Sequence, residues 1–454
     1  MPTSDPQQTT AVAPYIYRAR NGLLILFALL GMSFSTWLAR FPTVRELLGL
    51  TTAQLGFVLL AGAFGSLIFV TIAGALVERF GGRRILTVSA FGISLAFFLE
   101  GLGPAIGSVQ VLAVGVFFQG VFVALTNVPQ NVETAAVERR MGKAILSHFH
   151  AAYSIGAVIG SLIGAACAAL NVPLLLQMSA MAGITLAVRL MLIPRVVLDT
   201  ELSAQTRFDR AQVARRRRVE RAEIKAGVVE SPDPQGIVGV FRNRKASLGS
   251  ALGAWREPRT LLIGLVIFAA ALSEGSANNW LSIAVVDGFG QKEQIGALAL
   301  GLFLAAMTII RIAGPQLLGR FGRVAILRAS AIASVVGLLC FGFGPHFGFA
   351  LVGIVLWGMG AALAVPIVIS GASDDPIRAA ARVSVVSAFA STASLAAPPI
   401  LGLVADSIGA RLAITTIAIF MLVSLAVSRN VAPLRPDQMT GAVLQDARRD
   451  ETFH

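Results

Sequence analysis

Gly74-Ala75-Leu76-Val77-Glu78-Arg79-Phe80-Gly81-Gly82-Arg83-Arg84 is a short charged stretch with apolar sequence on both sides, from 53 up to it and from it to 103. A run of about 20 apolar residues is long enough to cross the hydrocarbon of a bilayer as a helix. The stretch is therefore a tight loop between two membrane spans. A reduced copy, Arg320-Phe321-Gly322-Arg323, follows 241 residues later, again between apolar runs. That repeat predicts a duplicated chain.

The composition agrees: 56% of the 454 residues are hydrophobic and only 13% are charged, too apolar for an ordinary water-soluble domain. Twelve apolar runs stand at about 20–42, 53–77, 84–103, 107–131, 144–170, 173–193, 260–285, 294–318, 324–343, 347–371, 382–405 and 411–429. The expected fold is an all-α membrane protein of 12 transmembrane helices in two pseudo-symmetric six-helix bundles. The bundles are expected at 18–193 and 260–430, with a polar tail at 1–17, a basic linker at 194–259 and a second tail at 431–454. Three further matches support the repeat: Trp37-Leu38 with Trp280-Leu281, Gln54-Leu55-Gly56 with Gln294-Ile295-Gly296, and Ser154-Ile155-Gly156 with Ser394-Leu395-Ala396. Two similar halves imply a binding site at their interface.

The net charge of +13 invites a nucleic-acid reading until its placement is examined. Of the 37 Lys and Arg residues, only Arg40, Arg45, Lys292 and Arg411 fall on one side of the twelve-span arrangement, and Arg189 and Arg311 fall within spans. All the others lie on the side of the termini. By the positive-inside rule both termini are then cytoplasmic, and no nucleic acid is needed to account for the charge. Arg215 to Arg218, in the linker, read as part of the same determinant. The first run lacks a small-residue cleavage site and is expected to stay as a helix. Cys167 and Cys340 lie in apolar runs of different halves and are expected to be packing residues. No cofactor or metal is expected, since no phosphate loop, zinc-protease helix or nucleophile elbow occurs. The chain does not read as an enzyme.

The charged loop resembles the signature of the major facilitator superfamily, G-x-x-x-D-R-x-G-R-R. Gly74, Arg79, Gly81 and Arg83 match it, while Glu78 stands for the aspartate and Gly82 for one arginine. The resemblance spans nearly the whole chain and implies the major facilitator fold, working by alternating access. It implies that Gly74, Glu78, Arg79, Gly81, Arg83 and Arg84, with Arg320 and Arg323 of the second copy, form a cytoplasmic gate that latches the outward-facing state. Gly74 is expected at a close helix contact, and Glu133 is expected to partner the loop arginines. Within the superfamily, Trp37 to Pro42, Gln54-Leu55-Gly56, Asn127 to Glu138 and His148-Phe149-His150 with Ser154-Ile155-Gly156 look like the fucose permease-like branch. The sugar–proton symporters of that branch use carboxylates in helices 1 and 4. Here helix 1 has no acid before Glu46, and Asn127 stands near the helix 4 position.

Ionisable groups at membrane depth are costly and mark function. Glu274, mid-way along the seventh run, is the proton-coupling candidate, with a structural hydrogen bond as the alternative. Gly275 beside it could mark a helix break. Asn278 shares the face of Glu274, four residues on. Arg311, His148 and His150 are candidates to receive an anionic group. Asn127, Gln130, Asn131, Tyr153, Asn278 and Asn279 are candidates to meet hydroxyls or carbonyls. Trp37 and Trp280, at corresponding places in the halves, read either as rings that stack on a solute or as interfacial anchors. Gly156, Gly160 and Gly164 mark a close helix contact.

The expected function is secondary active transport of a small polar solute, coupled to protons, by a monomer in the inner membrane of a bacterium. A proton-coupled efflux antiporter and a transporter-like solute sensor are the alternatives. The absence of proline in the fifth run, where drug–proton antiporters carry a G-P motif, counts against efflux.

Overall fold

The computed structural model of the chain describes residues 13–142, 145–198, 200, 253–375 and 378–434. Hydrocarbon supplies no hydrogen bonds, so a spanning segment must satisfy its backbone internally, and the described residues are helical with no strand among them. The helices are α1 (Pro14–Leu38), α2 (Phe41–Leu48), α3 (Thr52–Phe80), α4 (Gly82–Ala105), α5 (Val109–Met141), α6 (Leu146–Ala169) and α7 (Leu174–Val196). After the linker come α8 (Pro258–Phe289), α9 (Glu293–Phe343), α10 (Phe347–Ala361), α11 (Ala364–Ala372), α12 (Ala379–Ile408), α13 (Ala410–Thr415) and α14 (Ile417–Val427). The 51 residues of α9 are two spans that meet at Gly322. Helices α10 and α11 together make one span, as do α13 and α14. Twelve spans result, and both described chain ends lie on one face, here the terminal face. The opposite one is the far face.

Backbone conformation repeats between the halves. Gly81 (φ 86°, ψ 147°) and Gly322 (φ 76°, ψ 166°), 241 residues apart, occupy a region that only glycine enters without strain. They make the sharp reversals after α3 and inside α9. Helix α3 starts with a capping box in which Thr51 and Gln54 bond each other's backbone N–H groups.

Three boundaries differ from the sequence expectation. Helix α1 begins at Pro14, inside the expected tail, because proline is well suited to a first helical turn. Helix α5 continues past 131 to Met141, so Glu133 and Glu138 are helical. Helix α8 runs unbroken through Gly275. The arginine run at 215–218 and most of the linker lie outside the described residues.

The glycine stripe on α6 packs on α1. A Cβ at Gly156 would lie 1.9 Å from the Ala28 carbonyl oxygen, and one at Gly160 2.0 Å from that of Met32. Thr36 adds a hydroxyl bond to the Gly160 carbonyl at 2.8 Å. Between the halves, α3 meets α12 and α6 meets α9. A Cβ at Gly56 would lie 2.4 Å from the Pro398 oxygen, and Ser161 Oγ donates to the Ala297 carbonyl at 2.5 Å. Gly160→Val is expected to destabilise the protein by about 1–3 kcal/mol, the range for overpacking. A thermal melt of the purified protein reads this as a lower midpoint, whereas Gly183→Ala, with open space around it, leaves the midpoint no lower.

Candidate functional site

Glu274 lies near the middle of α8 and Arg311 on the first span of α9. Their Oε2 and Nη2 atoms are 3.0 Å apart. Arg311 Nε also donates to the Ala362 carbonyl at 3.1 Å, at the junction of α10 and α11, where the helix is interrupted and the carbonyl is free to accept. The two side chains are 26% and 28% exposed, so the pair borders open space instead of closing a dry core. One turn along α8, Asn278 and its neighbour Asn279 are half-buried with no side-chain hydrogen bond described. Across the gap, on α6, His150 and Tyr153 lie within electrostatic reach of Arg311, and Tyr153 also of Glu274. His150 is exposed and sits edge-on to Phe27 at 5.9 Å between ring centroids. Asn127 on α5 is half-buried. Two helices of one half and one of the other thus bring together a carboxylate, a guanidinium, an imidazole and a phenol.

Other candidates are placed elsewhere. Trp37 and Trp280 are each 1% exposed, buried in the hydrophobic core, with Trp37 edge-on to Phe41. Neither offers a ring face to a solute, and neither reaches the membrane surface as an anchor. Gln130 is 1% exposed and points into the interior of the first bundle. Asn131 is exposed. His148 belongs to the first turn of α6, where its ring nitrogen lies 3.3 Å from the Ile145 carbonyl, away from the pair.

At the terminal face Asp374, Asp375 and Glu257 pair with arginines of their own half. A Cβ at Gly74 would meet no atom within 4 Å, so the close contact expected there is not made in this state. Arg79 and Arg320 lie over the rings of Phe80 and Phe321, while Arg83 and Arg84 are exposed. Arg323 pairs with Asp374 of its own half at 2.6 Å. Glu133, fully buried, accepts from the backbone of Leu198 at 2.8 Å and of Thr200 at 2.9 Å, so it ties down the chain leaving α7. Asp374, 241 residues later, likewise accepts from Leu434 N at 3.4 Å, where the chain leaves the second bundle.

The far face is sealed by charges that join the halves. Arg40, buried, donates to Gln177 Oε1 at 2.5 Å, to the Val172 carbonyl and to Glu293 at 3.3 Å. Thr43 donates to the same Glu293 through both its backbone N–H and its hydroxyl. Arg45 grips Asp287 with both terminal nitrogens, at 2.5 and 2.6 Å. Asp406, near the end of α12, accepts from the backbone of Thr52 and Ala53 at 2.9 and 3.3 Å. It caps α3 from the other half, where the helix macrodipole favours an anion. Sequence reasoning missed these residues. The available signal was the rarity of cations on that side: Arg40 and Arg45 share it with Asp287, Glu293 and Asp406.

A twelve-span bundle with polar groups gathered between its halves and a charged seal at one face has the form of a membrane transporter. The family model of the Major Facilitator Superfamily matches residues 23–384. This chain belongs to the Major Facilitator Superfamily. Its members are transporters, not enzymes, and the chain is a multi-pass integral membrane protein. It is 27% identical over 401 residues to the uncharacterized transporter y4wD of Sinorhizobium fredii, covering 88% of this chain and 94% of that one. The fold is similar to that of the nucleoside transporter NupG, with a TM-score of 0.63, 14% identity, and 91% and 98% of the chains covered. It is also similar to FucP in the outward conformation, with a TM-score of 0.53, 17% identity, and 91% and 100% covered.

Arg40→Ala removes charged hydrogen bonds worth about 1.5–3 kcal/mol. The population is expected to shift roughly tenfold or more toward a state open at the far face. Spin labels at Leu47 and Ser407, exposed on opposite halves, are expected to show a longer distance in Arg40→Ala than in the parent. An unchanged distance distribution contradicts the role given to the seal.

Proposed function

We propose that this secondary transporter moves a small polar solute bearing an anionic group together with a proton, and that Glu274 and Arg311 are the coupling pair. The observation that carries the reading is their 3.0 Å contact in mid-membrane, part-exposed and facing His150 and Tyr153 across the gap between the halves. A solute anion that binds Arg311 competes with Glu274 for the same nitrogens. Once displaced, the carboxylate lacks a counter-charge at membrane depth, and a bound proton removes that cost. Solute and proton then cross as one neutral set. The neutral groups Tyr153, Asn127, Asn278 and Asn279 supply donors and acceptors for the rest of the solute. FucP, whose fold is shared, is a fucose:proton symporter of E. coli.

The excess of Lys and Arg on the terminal face supports placing that face in the cytoplasm. The sealed far face and the open space beside Gly74 then correspond to an inward-open state. In that reading the loop residues Gly74 to Arg84 form a gate that closes when the far face opens, and the open space beside Gly74 belongs to the open half of the cycle. The y4wD relative is bacterial, which supports the inner membrane of a bacterium as the location. Glu274, Arg311, His150 and Tyr153 all come from one chain, which supports a monomer as the working unit.

A thermal-shift screen of organic acids, neutral sugars and lipophilic cations identifies the ligand class. A ligand at about 100 times its dissociation constant adds about 2.7 kcal/mol of stability. Stabilisation by organic acids is expected; a response to lipophilic cations alone moves the reading to efflux. With the ligand found, Glu274→Gln in proteoliposomes is expected to keep binding and solute exchange yet lose uphill accumulation under a pH gradient. Normal accumulation by that variant refutes the coupling role.

A further inference from the structure

The first bundle hides a cation that the transport site does not use. Arg189 of α7 is 2% exposed, yet its Nε and Nη2 have no hydrogen-bond partner, and no carboxylate pairs with it among the described residues. Six more buried side chains of the same half carry an unpartnered polar atom: Glu100 and Gln177 near the far face, and Ser89 on α4, Thr126 and Gln130 on α5, and Ser154 on α6. Buried polar groups are nearly always satisfied, so the last four, together with Arg189, ask for a common explanation.

Helix register places all five in one layer. Ser94 Oγ donates to the Ala182 carbonyl, and a Cβ at Gly101 would lie 3.0 Å from Leu175 Cα. Those contacts set antiparallel α4 against α7 and put Ser89 about 3 Å along the axis from the level of Arg189. Gly103 meets Leu112 N and Gly115 meets Glu100 N, which sets α4 against α5 and brings Thr126 level with Ser89. Gln130 is one turn beyond Thr126, on the same face. Ser33 pairs with Thr185 at 3.1 Å and Gly156 meets the Ala28 oxygen, which carries the register from α7 through α1 to α6. Ser154 then falls about 4.5 Å from the level of Arg189.

Neither buried acid of this half pairs with Arg189. Glu133 is held by Leu198 and Thr200, and Glu100, whose Oε2 accepts from Gln119 while its Oε1 has no partner, lies eleven residues along α4 from Ser89, about 16 Å along the axis. The layer therefore carries a positive charge, three hydroxyls and an amide, and no carboxylate. A charge this deeply buried needs a counter-charge. Helices α4 and α7 pack on each other and on α5 and α1, apart from α8 and α9, which carry Glu274 and Arg311.

We propose that the interior of the first bundle binds a small inorganic anion of halide type, with Arg189 as charge partner and Ser89, Thr126, Ser154 and Gln130 as neutral donors. Groups exposed by no more than 2% enclose an ion of one or a few atoms and exclude a solute. The site is structural: it neutralises the bundle interior and is independent of proton coupling at Glu274.

The test is a thermal melt of the purified full-length protein, with sodium chloride or bromide exchanged for sodium gluconate or sodium acetate at constant ionic strength. The melting temperature is expected to rise saturably with halide and not with gluconate or acetate. Crystals grown in bromide are expected to show anomalous density beside the Arg189 guanidinium. Thr126→Val should weaken the halide response roughly tenfold, the worth of one hydrogen bond to a charged group, and Arg189→Gln should abolish it. If Arg189→Gln does not fold, Thr126→Val and the bromide density decide. A melting temperature indifferent to halide, an equal response to acetate, or an unchanged response in Thr126→Val with no bromide density overturns the proposal.

Discussion

Hydrocarbon offers a buried polar group no water, and that constraint governs both the architecture and the placement of charge in this protein. Every span is a helix because only a helix satisfies its own backbone. Where close packing is needed, small residues provide it: Gly156 and Gly160 on α6 let α1 approach to van der Waals contact with backbone. Where the helix is interrupted, as between α10 and α11, a freed carbonyl is taken up by Arg311. Exceptions to satisfaction become informative for the same reason, and Arg189 with Ser89, Thr126, Gln130 and Ser154 is such a group.

The two faces of the molecule differ in how their charges are spent. At the far face Arg40, Arg45 and Asp406 reach across to the other half. At the terminal face Arg323 and Arg259 turn to Asp374 within their own half, and Arg382 turns to Glu257. Such links are individually modest, and a set of them at one end can be exchanged for a set at the other. Two nearly balanced arrangements are what alternating access requires.

Much of the fold was legible in the sequence because hydrophobic length and charge asymmetry are local properties. The twelve runs, the duplication marked by Gly81 and Gly322, and the glycine stripe of α6 can each be read in one stretch of chain. Glu274 and Arg311 were legible singly, as rare charges in apolar runs, but nothing in sequence set them 3.0 Å apart. Trp37 and Trp280 misled because an aromatic ring at a repeated position looks the same whether it lines a cavity or fills a core. Gln130 misled for a similar reason, since its neighbours on α5 do not reveal which side of the helix meets other helices and which meets open space.

The sequence by itself determined that this chain lives in a bilayer, that it is built of two similar halves, and which face carries the positive charge. The bilayer imposes those properties on each segment separately. Only the tertiary structure decided which charges meet: Arg40 with Glu293, Arg45 with Asp287, Glu274 with Arg311, and Arg189 with no acid among the described residues. Those pairings join helices distant in the chain. They depend on the rotation and register at which helices pack, which are set by the sum of contacts and not by any one stretch.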